Sequence, residues 1–306
     1  MTKTAFLFAG QGAQKLGMAR DLYDNYPVVK ETFDKASQIL DYDLRELIDH
    51  DEEKLNQTRY TQPAILTTSV AIYRLLKEKG LEPDAVAGLS LGEYSALVAA
   101  GALSFEDAVA LVAKRGQFME TAAPAGTGKM VAVMNTPVDV IEEACQKAQD
   151  KGYVGPANYN TPAQIVIGGH VAAVDAALEN LKEAGAKRLI PLKVSGPFHT
   201  ALLEPASRQL AEELAKVSFS DFKIPLVGNT EAKVMKEADI KSLLARQVME
   251  PVRFYESMAT MKDLGVTSYI EIGPGKVLSG FMKKIDKTAE LAHVEDLASL
   301  QALLEK

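Results

Sequence analysis

A single cysteine among 306 residues leaves no partner for an internal disulfide, and Cys145 falls on a helical stretch far from any candidate metal ligand. The expectation is an inert, buried thiol and no metal site. No run of eighteen apolar residues occurs, so no segment is long enough to span a bilayer as a helix. A basic excess is missing too: 34 Lys+Arg stand against 41 Asp+Glu, a formal charge of -7, with no basic stripe interleaved with aromatics. That excludes nucleic acid as an expected partner. The opening residues, MTKTAFLFAGQG, lack the basic start, long apolar stretch and small-residue cleavage site of a secretory signal, so a cytoplasmic protein without a membrane partner is expected. What remains is ordinary globular composition, 47% apolar and 25% charged, with ample material for a core.

Short apolar runs alternate with amphipathic stretches, the pattern of an α/β protein with parallel strand pairing. TAFLFAG at 4–10 reads as a first strand. Thr61, with Pro63 just inside, is expected to open a long helix that Gly80 ends, and DAVAGL then supplies another strand. A further helix starts at about Leu91. Ser104 and Asp107 resemble a capping box for the helix FEDAVALVAKRGQFME, which the loop TAAPAGTG closes. Beyond that loop, strand KMVAVM, helix VDVIEEACQKAQD, strands YVGPANY and QIVIGG, helix VAAVDAALENLKEAG and strand KRLIPLKVS run in the order βαββαβ, the ferredoxin-like arrangement. The alternation then resumes, with helices at 201–216 and 237–249, a short strand near PLVGN and a strand at 268–273. The expected architecture is a large α/β-hydrolase-like catalytic domain (1–127 and 198–306) with a small ferredoxin-like domain (128–197) inserted and the catalytic cleft between them.

Residues 88–92 read Gly-Leu-Ser-Leu-Gly, a G-x-S-x-G between a predicted strand and a predicted helix. A serine on such a sharp turn presents its Oγ at a helix N-terminus, where free N–H groups favour a developing negative charge. The bland alternative is a tight turn with Ser90 as a helix cap. A nucleophilic serine needs a base, and only four histidines are on offer. His50 sits in the acidic stretch IDHDEE, His170 follows Gly-Gly at a helix start, and His293 lies in ELAHVED. His199 follows Gly196-Pro197 at the return to the large domain, where a side chain can face a cleft, and it is the expected base. No aspartate or glutamate stands out to orient its other nitrogen, which leaves a backbone carbonyl as the candidate.

In the helix over 104–120, Ala108, Leu111, Val112, Phe118 and Met119 define a buried stripe, and Arg115 falls in line with them. A guanidinium there stays charged, so it must reach water or meet an anion. The anion is either a buried carboxylate of the protein or the substrate itself. In the second case a planar fork would select an acyl group ending in a free carboxyl.

FLFAGQGAQ, GLSLGEYSAL, KRGQFM, GPFH and QVMEPVRF, in that order along nearly the whole chain, together resemble the malonyl-CoA:acyl carrier protein transacylases of fatty acid synthesis. The related acyltransferase domains of polyketide synthases are similar too. The resemblance implies Ser90 as the acylated nucleophile, His199 as general base and acid, and Arg115 as anchor for the malonyl carboxylate. It implies backbone N–H groups of Gln11 and Leu91 as the oxyanion hole, which suits a site where the turn provides one donor and a second loop the other. Gln247, beside the apolar positions Ile240, Leu243, Leu244 and Val248, matches the glutamine whose main-chain carbonyl orients the histidine; as a residue alone it also reads as a plain helix-flanking amide.

Two departures stand out. Leu89 replaces the histidine usual in G-H-S-x-G, and Phe198 is bulky where some relatives carry a smaller residue, which favours malonyl over methylmalonyl. The implied reaction is ping-pong transfer from malonyl-CoA, a coenzyme A thioester, to the pantetheine thiol of holo acyl carrier protein, with no metal or redox cofactor and a monomeric enzyme. The rival readings are a serine hydrolase or thioesterase, a non-catalytic docking subunit that keeps the fold, and a polyketide-pathway acyltransferase. An acidic carrier would need a local basic patch on this acidic chain, for which Arg188 and Lys193 are candidates.

Overall fold

The computed structural model describes residues 2–194 and 196–306 and contains two sheets. In the first, strand β1 (Lys3–Phe8) lies between β2 (Ala85–Gly88) and a C-terminal strand Val266–Ile272, with Glu290–Val294 at the far edge. All these pairings are parallel, with Phe8 beside both Gly88 and Ile272. Parallel sheets are covered on both faces, so their central strands are largely apolar, as in the buried runs 5–8 of β1 and Ala85–Gly88 of β2. In β1, Phe6 and Phe8 join one core with Leu66, Val112 and Leu226, whereas Ala5 and Leu7 face a second core with Phe254, Met258 and Tyr269. The side-chain period of two thus divides one strand between two layers.

The second sheet carries β3 (Gly128–Met134), β4 (Val154–Thr161), β5 (Gln164–His170) and β6 (Arg188–Pro191), with helices Val138–Lys147 and Val171–Glu183 in the crossovers. The strand order β6-β3-β5-β4 and the antiparallel pairings give the expected ferredoxin-like βαββαβ unit. Val131 and Val133 pack with Ile141, Cys145, Ile167 and Leu181 in a core of its own. Met130 and Ala132, on the opposite face of the same strand, enter the main core. The two units therefore share an apolar seam. A fifth strand, β7 (Val252–Arg253), adds to β4 in parallel through two residues of the QVMEPVRF segment. Completing the first sheet, the C-terminal strands are β8 (Val266–Ile272) and β9 (Glu290–Val294).

Several expectations need correction. The long helix spans Thr58–Glu78, so it begins three residues before Thr61, and Pro63 lies inside it. The start is fixed elsewhere: Tyr60 and Thr61 donate backbone N–H to Gln57, and the Thr61 hydroxyl donates to the Leu55 and Gln57 carbonyls. Pro63 only removes the bond that would reach the Arg59 carbonyl. The strand expected near PLVGN shrinks to a single parallel bridge between Leu226 and Val86, because the chain at once turns to pair Val227 with Val234. Strand β6 stops at Pro191, and Ser195, which the predicted strand included, lies outside the described residues. Ser104 does cap the helix Phe105–Ala122, accepting from the Asp107 N–H at 3.1 Å. Phe118 in that helix is only half-buried, at the margin of the stripe assigned to it.

Candidate active site

Between the end of β2 at Gly88 and the helix Gly92–Ala99, Ser90 holds a left-handed backbone with φ +54°. Such a conformation costs a non-glycine residue on the order of 1–3 kcal/mol, and its neighbours must enforce it. A Cβ on Gly88 would lie 2.0 Å from the Gly92 backbone, and one on Gly92 would lie 2.1 Å from the Phe8 carbonyl oxygen. Only glycines let strand, turn and helix approach so closely. Asn229 then clamps the turn from outside: its Nδ2 donates to the Gly88 carbonyl at 2.6 Å, and its Oδ1 accepts from the Ser90 N–H at 2.7 Å.

His199 is buried, with its own left-handed φ of +59°, and its N–H donates to the Val248 carbonyl. Its Nε2 lies 2.8 Å from Ser90 Oγ and its Nδ1 lies 2.6 Å from the Gln247 main-chain carbonyl. A carbonyl only accepts, so Nδ1 carries the proton and Nε2 presents a lone pair to the serine hydroxyl. Burial, reinforced by the Arg115 charge and opposed by the Gln247 carbonyl, holds the ring's pKa down at about 4. The imidazole is neutral at pH 7, the form that can receive a proton. The acceptor at Nδ1 is thus a backbone carbonyl, that of Gln247, the residue the resemblance implied for this role. The other histidines are engaged elsewhere: His50 is exposed beside Glu46, His170 Nδ1 accepts from the Tyr153 N–H, and His293 lies on β9 near Glu295.

Arg115 is buried, 1% exposed, on the helix Phe105–Ala122. Its Nη1 donates to Gln62 Oε1 at 2.9 Å, and its Nη2 donates to Gln247 Oε1 at 2.9 Å and to Ser90 Oγ at 3.2 Å. The guanidinium also stacks over the Tyr94 ring at 5.3 Å. Among the described residues no carboxylate forms an ion pair with it, and it does not reach solvent. Burial lowers its pKa from the usual arginine value, against the opposing influence of Tyr94 and Glu93. A buried cation held by amides and a hydroxyl retains unsatisfied attraction for an anion. Because arginine can only donate, Ser90 Oγ accepts from it and sends its own hydrogen to His199.

Gln11 follows β1 on the loop beside the turn, where Leu89 N–H donates to the Phe8 carbonyl at 3.2 Å. Its side chain donates to Thr58 Oγ1 and accepts from Gln62 Nε2, which ties this loop to the Arg115 partner. Leu91 is the N-terminal flanking residue of the helix Gly92–Ala99. Phe198 is buried directly before His199. Leu89 packs on the apolar cluster of Phe254 and Met258, so the place of the usual histidine is filled by apolar contact. Arg188 and Lys193 are both exposed, on and just beyond β6. Sequence reasoning missed Gln62, Tyr94, Asn229 and Glu93. Of these only Glu93 left a trace, as the one charge in the apolar run GEYSALVA.

The acyl transferase domain model matches residues 5–301. The malonyl CoA-acyl carrier protein transacylase of Bacillus subtilis is 48% identical over 100% of this chain and 97% of its own length, and that of Escherichia coli K12 is 46% identical over the whole of both. Among solved structures, MCAT from Streptococcus pneumoniae is 77% identical with a TM-score of 0.98, covering 99% of each chain. A structure described as a type II PKS acyl-carrier protein in complex with its malonyl-transacylase is 44% identical with a TM-score of 0.96, again over 99% of each chain. Likeness of this depth, in sequence and fold alike and over the full length, means that the chain belongs to the acyl transferase family, among the malonyl CoA-acyl carrier protein transacylases.

Proposed function

We propose that the protein transfers malonyl from malonyl-CoA to the pantetheine thiol of acyl carrier protein through a malonyl ester on Ser90, supplying fatty acid synthesis. The observation that carries this reading is the position of Ser90 Oγ, between a neutral imidazole nitrogen at 2.8 Å and a buried guanidinium at 3.2 Å. His199 Nε2 takes the hydroxyl proton as Oγ attacks the thioester carbonyl carbon. The backbone N–H groups of Gln11 and Leu91 hold the oxyanion. Collapse breaks the C–S bond, and the CoA thiolate leaves with the proton from His199. The carrier thiol then gives its proton to the same nitrogen, attacks the ester and releases Ser90. The Gln247 carbonyl keeps the ring aligned and stabilises the imidazolium at each stage. No step requires a metal or redox cofactor.

Arg115 binds the free carboxylate of the malonyl group, and Phe198 beside the base restricts bulk at the acyl α-carbon. A hydrolase reading is weaker, since an ester hydrolase has no need of a buried arginine at its serine. The pathway alternative keeps the same chemistry with a polyketide carrier as acceptor, a likeness carried by the carrier complex among the similar structures. In the same reading residues 128–197 form the inserted small domain, 1–127 with 198–306 form the catalytic one, and the enzyme acts as a monomer in the cytoplasm. Arg188 and Lys193 are the exposed cations offered to the acidic carrier. The test is transfer itself: malonyl-carrier should form from malonyl-CoA, and release of free malonate at the same rate without carrier would identify a hydrolase instead.

A further inference from the structure

Every residue of the helix Gly92–Ala99 except Val98 is buried, and Glu93 is the only charged one. A carboxyl group 1% exposed in an apolar helix pays a desolvation cost that some role must justify. Burial pushes its pKa up to about 7, with the Gln247 amide, the Asn229 N–H and the Arg115 charge opposing the rise. Its Oε2 accepts from Gln247 Nε2 at 2.5 Å and lies 3.4 Å from the Asn229 N. Its other oxygen sits near Gly228, at the wall of a cavity of about 230 Å³ also lined by Thr230, Lys233 and Asp239.

A glutamine side chain ends in a donor and an acceptor that point apart, and here the two ends meet opposite kinds of partner. Oε1 of Gln247 accepts from Arg115 Nη2, which can only donate. Nε2 meets Glu93 Oε2, which accepts in either protonation state. The remaining acceptors near Nε2 are weaker or shared: Ser90 O at 3.1 Å and Asn229 Oδ1 at 3.3 Å, the latter already taken by the Ser90 N–H. We propose that Glu93 is a positioning residue for Arg115: it holds the Gln247 amide with its oxygen toward the guanidinium and so keeps the acyl-carboxylate fork in front of Ser90. An inverted amide would set a donor against Arg115 Nη2 and turn the fork away. The Gln247 main-chain carbonyl, anchored where the helix Ile240–Gln247 ends, goes on orienting His199 regardless of the amide. Loss of Glu93 geometry therefore damages recognition of the acyl carboxylate more than the proton transfer.

This inference rests on the reading of Arg115 as the carboxylate anchor. Two conservative variants separate geometry from charge. E93D keeps the charge but withdraws the acceptor by one methylene; E93Q removes the charge but keeps an oxygen that can accept from Gln247. kcat/KM is measured with malonyl-CoA and with acetyl-CoA as donors, alongside R115A, and melting curves confirm that each variant is folded. The expected result is a fall in the malonyl-to-acetyl ratio of about tenfold in E93D, the scale of one lost hydrogen bond near a charge, with the ratio within about threefold of wild type in E93Q. An unchanged ratio in E93D, or a collapse in E93Q as large as in E93D, would overturn the positioning role while R115A still loses the ratio. If R115A itself keeps the wild-type ratio, the anchor reading fails first and takes this inference with it.

Discussion

Arg115 places its Nη2 3.2 Å from the Oγ of Ser90, from the interior of a helix where it forms no ion pair with a carboxylate among the described residues. The chemical demand of that arginine and the reactivity of that serine are joined at one atom. In the proposed reading, an acyl group that brings its own carboxylate completes the site, and a neutral acyl group leaves the cation without a substrate partner.

Arg115→Ala should therefore discriminate between donors. A charge-assisted contact contributes roughly 1.5–3 kcal/mol, so kcat/KM for malonyl-CoA should fall by about 10- to 100-fold or more relative to that for acetyl-CoA. Steady-state kinetics with both donors measures this. Equal losses for the two would remove the anchor role.

His199→Ala should slow acylation of Ser90 by a factor on the order of 10² to 10⁴, as read by single-turnover release of CoA. In the wild type the ring's pKa is depressed to about 4 by burial and by Arg115, so the base stays available well below the ordinary histidine range. The acid limb of kcat/KM should then fall near pH 4 and not near 6.5. The same shift sets a stability trend. The unfolded chain binds a proton at this histidine below pH 6.5 while the folded protein resists, so this contribution is full above pH 6.5 and is lost as pH falls toward 4.

Glu93 titrates in the opposite sense. Its folded pKa is raised to about 7 by burial, so its contribution is full below its ordinary value of 4.5 and is lost as pH rises through 7. E93Q imitates the protonated acid. Its melting temperature relative to wild type should rise between pH 4.5 and 7 and level off above, and a difference independent of pH would show that Glu93 does not titrate in that window.

Asn229→Ala removes both ends of the clamp across the turn and leaves the Gly88 carbonyl and the Ser90 N–H unpaired in the interior. The expected loss is on the order of 2–4 kcal/mol in denaturant unfolding. Acylation should fall as well, because the left-handed Ser90 backbone would no longer be enforced. A stable, fully active variant would contradict the clamp.

These predictions divide unevenly between what the sequence announces and what it hides. Ser90, His199 and Arg115 are legible because each breaks a local rule: a serine between two glycines at a strand-helix turn, a histidine after Gly-Pro at a crossover, a cation on an apolar stripe. The βα alternation and the βαββαβ unit are legible for a similar reason, since each strand is a short apolar run between amphipathic helices. Gln62, Asn229 and Tyr94 break no rule; an amide or a phenol is ordinary in any segment, and only the fold brings Asn229 to Ser90 across 139 positions. Of the early helices, Arg20–Asn25, Leu44–His50 and Glu52–Leu55 are too short to show a period, whereas Pro27–Leu40 buries Val29, Phe33 and Ala36 at helical spacing and could have been read. Strand β7 has two residues and no period at all, and it exists only because β4 offers an edge.

The central claim is that Ser90 carries the malonyl group, and intact-protein mass spectrometry after brief exposure to malonyl-CoA, with the label mapped by peptide digestion, tests it most directly. The account predicts one added malonyl group on the wild type, located on Ser90, discharged by holo acyl carrier protein and absent from Ser90→Ala. A label on another residue, or one that persists in Ser90→Ala, would contradict it.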